Sequence, residues 1–71
     1  MLIETLIRMG HDITRNNAAL PPDRAADRIA GHLNAFWTRA MIAELQAFAS
    51  TDSGRLEPSL VAALRQLAAG G

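Results

Sequence analysis

The 71-residue sequence predicts an all-α fold, a small bundle of about four short helices in one domain spanning 1–71. Apolar residues recur at spacings of three and four in four separate stretches, and nowhere alternate as a strand would. Leu20-Pro21-Pro22 and Leu56-Glu57-Pro58 break the pattern, because a proline restricts its predecessor away from helical dihedrals. Between them, Trp37-Thr38 marks a third boundary, a tight corner carrying the only tryptophan.

The first helix is read over about 2–18. Leu2, Leu6, Met9 and Ile13 form one apolar face, and Ile3, Ile7 and Gly10 form a second strip beside it. That combined face is wider than one packing seam requires. The expectation is that Ile3, Ile7 and Gly10 lie against another chain. Asn16-Asn17 weaken the pattern before the prolines stop it.

The second helix is read over 22–37. Pro22 suits its first position, where no N–H is needed, and Asp23 favours the positive end of the helix dipole. Ala26, Ile29, Ala30, Leu33, Phe36 and Trp37 project onto one face, with His32 at its edge. Arg24, Asp27, Arg28 and Asn34 project away, and Arg24 has the spacing to pair with Asp27.

Thr38 is placed to cap a third helix over about 39–49 by accepting from a first-turn N–H. Its apolar face is Met41, Ile42, Leu45, Phe48 and Ala49. Ala40, Ala43 and Ala47 make a smooth opposite stripe. The polar stretch Ser50-Thr51-Asp52-Ser53-Gly54-Arg55 reads as a mobile loop. Pro58 then opens the last helix, Leu56 is placed to staple onto Val61, and Leu60, Val61, Leu64, Leu67 and Ala68 line one face up to a stop at Gly70.

A domain of this size buries only about 60 % of the surface its unfolded chain exposes. Its core seldom contributes more than about 3–5 kcal/mol. The chain has no cysteine, which removes disulfides and the common zinc frameworks, so association is the remaining remedy. Net charge is zero and the seven basic residues, all arginine, are interspersed with acids. Such a balance disfavours nucleic acid as a partner. Met1-Leu2-Ile3-Glu4 lacks a basic segment followed by an apolar run, and no stretch approaches the about 18 apolar residues of a membrane span. The expectation is a soluble, cytoplasmic protein without membrane contact.

No catalytic, cofactor-binding or metal site emerges. The sequence has no nucleophile elbow and no glycine-rich phosphate loop, and His11 and His32 are too separated to make a local metal motif. Asp23, Asp27 and Glu44 fall on polar faces with no pocket wall to tune a carboxylate pair. The informative feature is instead the segment from His32 to Met41, where Phe36 and Trp37 sit at the corner. Tryptophan anchors either cores or interface centres. His32, Phe36, Trp37 and Met41 therefore join Ile3, Ile7 and Gly10 as candidate partner-binding residues.

The spacing of His32, Phe36, Trp37 and Met41, with Leu6-Ile7-Arg8-Met9 before it and Leu56-Glu57-Pro58-Ser59-Leu60-Val61 after it, resembles the delta subunit of soluble NAD-dependent formate dehydrogenases. The chain departs from that family in carrying Thr38-Arg39 after Phe36-Trp37, where Asp-Pro is common, and Asn16-Asn17 where an aromatic pair is frequent. The resemblance implies a non-catalytic, cofactor-free accessory subunit that binds the catalytic alpha subunit, a molybdenum or tungsten and iron–sulfur protein, and supports its stability or assembly. The alternative from another class is a small dimeric helical regulator or helix-turn-helix nucleic-acid binder using the second and third helices. Arg39 opposed by Glu44 makes a poor recognition surface for it.

Overall fold

The computed structural model describes residues 2–70; Met1 and Gly71 lie outside it. Four α-helices, α1 (Ile3–Asn16), α2 (Pro22–Phe36), α3 (Arg39–Asp52) and α4 (Pro58–Gly70), account for nearly all of it, with a 3-10 turn at Ser53–Arg55 and no strand among the described residues. No helix is long and apolar enough to cross a membrane.

Helix α1 ends earlier than its apolar pattern suggests. The backbone N–H groups of Asn17 and Ala18 bond three residues back, to Thr14 and Arg15, tightening the chain into a turn. The Asn17 side chain donates to the Ile13 carbonyl at 2.8 Å and satisfies one of the helix's orphan acceptors. Pro22 then occupies the first position of α2.

At the corner, the Trp37 backbone is extended, its N–H still donates to Leu33, and the Thr38 hydroxyl accepts from the Met41 N–H at 3.2 Å. That is the cap its position predicts. Helix α3 runs on through Ser50, Thr51 and Asp52, the first half of the segment read as a mobile loop. The Ser50 and Thr51 hydroxyls bond back to carbonyls of their own helix, so these polar residues are accommodated within it. The 3-10 turn delivers Leu56 into the core, where it is 5 % exposed.

Helix α4 holds the others together. It packs along α2, with Gln66 Nε2 donating to Asp27 Oδ1 at 2.9 Å, and against α3, with Gln46 Nε2 donating to the Leu64 carbonyl at 3.0 Å. Asp27 is thus turned to α4 and forms no ion pair with Arg24, contrary to the spacing-based expectation. The two salt bridges among the described residues, Arg15 with Asp12 and Arg55 with Glu4, are solvent-exposed and add little.

Leu6, Ile29, Leu33, Leu45 and Leu60 are the largest fully buried side chains, with at least one from every α-helix. Each such leucine or isoleucine stabilises the fold by about 1.5–3 kcal/mol relative to exposure. The core face of α1 is rotated from the expected one. Leu6, Ile7, Gly10 and Ile13 are buried, Ile3 and Met9 only partly, and Leu2 is 77 % exposed.

Candidate interaction surface

The seven residues read as partner-facing divide sharply. Ile7 and Gly10 are buried within the chain itself, where a Cβ built on Gly10 would stand 2.9 Å from Leu60 Cδ2 and 3.5 Å from Leu45 Cδ2. At Gly10 the strip expected to exceed what three helices could cover is closed by Leu45 of α3 and Leu60 of α4, because the missing side chain admits Leu60 close to the α1 backbone. Ile3 and Met41 are partly buried against the same core.

Trp37 is buried at 8 % exposure, while its neighbour Phe36 is 75 % exposed. Helical projection alone puts both on the buried face of α2. Helix α2 ends at Phe36, and Trp37, extended in backbone with its N–H still bonded to the Leu33 carbonyl, sits in the core.

Phe36 is stacked on His32, with ring centroids 4.8 Å apart and planes tilted by 43°. Four-residue spacing continues the line backward through Arg28 to Arg24, all exposed. Among the described residues neither arginine forms a salt bridge. Like charges four apart destabilise a helix by about 0.2–0.5 kcal/mol, and a cation in the first turn opposes the dipole. Gly31, on the same outer side, has open space where a Cβ would lie. A mid-helix glycine costs about 1 kcal/mol relative to alanine. On α3, Ala40, Ala43 and Ala47 are exposed, as their stripe predicts.

The groups considered for chemistry are dispersed. No cluster of three or more histidine, aspartate or glutamate residues with metal-binding proximity exists among the described residues. Asp23, Asp27 and Glu44 are exposed, and Asp27 is engaged by Gln66. His11 borders a cleft of about 530 Å³ between the end of α1 and the starts of α2 and α4. Its Nε2 is inaccessible and without a hydrogen-bond partner. Thr14 and Asn17 also line that cleft, yet both direct their donors to carbonyls of α1, at 3.0 and 2.8 Å. Glu57 and Ser59 border the same cleft, but neither is hydrogen-bonded to His11 Nε2, so the described residues show no joined acid, base and nucleophile there.

Fold and surface together define a class: a small helical module whose distinctive exposed feature is an aromatic and basic helix face. The particular family follows from comparison with known proteins. Residues 5–64 match the family described as the NADH-dependent formate dehydrogenase delta subunit FdsD, and the chain belongs to it. No curated protein and no solved structure matches the chain.

Sequence reasoning did not single out Gly31. The available signal was a glycine in a helix interior, away from the apolar face, with no turn to require it.

Proposed function

We propose that this chain is a non-catalytic accessory subunit that binds the catalytic subunit of its formate dehydrogenase and supports the stability or assembly of the complex. Membership of the delta-subunit family supplies the enzyme system. The observation that carries a binding role is Phe36, a large aromatic left 75 % exposed beside a tryptophan that the same fold buries. Aromatic side chains of this kind are enriched at interface centres. Redox chemistry in this reading belongs to the partner subunits, and this chain contributes surface.

The test is expression of the host's formate dehydrogenase subunits with and without this chain. The yield of intact complex should fall in its absence, while turnover per correctly loaded metal centre stays constant. Single substitutions of His11, His32, Asp23 or Glu44 should also leave that turnover unchanged. A loss of about a hundredfold at full metal loading would place the substituted residue in the chemistry, since that is the size of an acid–base contribution. Failure of the chain to co-purify with the catalytic subunit would remove the binding role.

A further inference from the structure

On the outer side of α2, two features weaken the helix and a third leaves a large aromatic outside the core. Arg24 stands in the first turn, against the dipole, four residues from Arg28 and with no acid bonded to either. Gly31 sits in mid-helix, where a side chain would meet nothing within 4 Å. Phe36 exposes three quarters of its surface with only His32 stacked against it.

A core explains none of these, because all the residues concerned are exposed. A solvated face explains the arginines but neither the glycine nor the phenylalanine. A docked protein surface explains all of them. Unpaired guanidinium groups meet carboxylates, the bare backbone at Gly31 permits close approach, and Phe36 fills a pocket.

We infer that the outer face of α2, from Arg24 through Arg28, Gly31 and His32 to Phe36, is the surface on which the partner subunit docks. The partner's matching surface carries acidic side chains over Arg24 and Arg28 and an apolar pocket for Phe36. This rests on the accessory-subunit reading and specifies its contact. Charge complementarity selects an acidic partner, because the only acid interposed in this stretch, Asp27, is directed to Gln66 on α4.

The experiment co-expresses the tagged full chain with the host's other formate dehydrogenase subunits and measures the catalytic subunit retained after washing at low and at high salt. Arg24→Glu, Gly31→Leu and Phe36→Ala should each lower retention about tenfold or more, and Arg24→Glu should also flatten its salt dependence. Ala43→Leu, on the exposed side of α3, should retain the wild-type amount. In thermal melts of the purified chain, Gly31→Leu should raise the midpoint by about 3–6 °C, since it removes a helix-weakening glycine. Arg24→Glu should raise it too, by creating a favourable pair with Arg28. A variant that is more stable yet binds less well has lost a contact and not a fold.

Wild-type retention with all three α2 variants would overturn the docking face while leaving the accessory-subunit reading intact. Failure of the wild-type chain itself to retain any formate dehydrogenase subunit would overturn both. A wild-type dimer in sedimentation velocity that Arg24→Glu and Phe36→Ala convert to monomer would reassign the face to a second copy of this chain. Binding of duplex DNA with a steep salt slope that Arg24→Glu abolishes would reassign it to nucleic acid. Either reassignment rejects the acidic protein partner.

Discussion

Gly10 and Gly31 both lie inside helices and carry the same backbone penalty, yet their surroundings are opposite. At Gly10 the space of a side chain is taken by Leu60 and Leu45; at Gly31 it is empty. The first glycine is needed for the crossing of α1 with α4. The second has no counterpart inside the chain. The same division falls between consecutive residues at the corner, where Trp37 belongs to the closed side of the bundle and Phe36 to the open one. Residue type therefore says little about role here. What matters is whether a neighbouring helix is present to receive the side chain.

The sharpest way to break this comparison is at the corner. Trp37→Ala should cost about 3–5 kcal/mol, as truncation of a buried aromatic does. That approaches the whole reserve of a domain this small, so the variant should lose its helical circular-dichroism signal at 25 °C. Retention of a cooperative melt near the wild-type midpoint would show that Trp37 is not a core anchor.

Gly10→Val should come next, at about 1–3 kcal/mol, because the new branched side chain must displace the buried Leu60. In a domain of this size each kcal/mol lowers the melting midpoint by about 4–8 °C. An unchanged midpoint would mean that α4 can shift away from α1 at no cost. Thr38→Ala removes the hydroxyl that accepts from Met41 and should cost about 1 kcal/mol, read in the same melts.

Gly31→Ala should act in the other direction, stabilising the chain by about 0.5–1 kcal/mol, since nothing stands where its methyl would go. A loss of stability would put Gly31 in the same class as Gly10. The smallest effect on folding is expected for Phe36→Ala, within about 0.5 kcal/mol of wild type, as for exposed positions outside special features. A cost comparable to that of Trp37→Ala would mean that the ring packs on the core and that the two sides of the corner do not differ.

Much of the architecture was legible beforehand for local reasons. Helical periodicity, the two proline boundaries and the Thr38 cap depend on residues within a few positions of one another, so the sequence contains their causes. Membership of the delta-subunit family was legible too, through the spacing of His32, Phe36, Trp37 and Met41 and the segments flanking it. The first half of the segment from Ser50 to Arg55 misled, because hydroxyl residues signal a loop by composition. Within a helix, the same hydroxyls can bond to its carbonyls and remain in register.

By itself, then, the sequence determined the number of helices, the breaks at Pro22, Thr38 and Pro58, and the family. Only the tertiary structure decided which apolar surface is spent inside. The position of Leu60 over Gly10 closes part of the α1 strip that periodicity assigns to a partner. Packing of the other helices separates buried Trp37 from exposed Phe36, although projection along one helix treats them alike. The physical reason is that periodicity describes the face of an isolated helix, whereas burial depends on where the other helices lie and where each one stops.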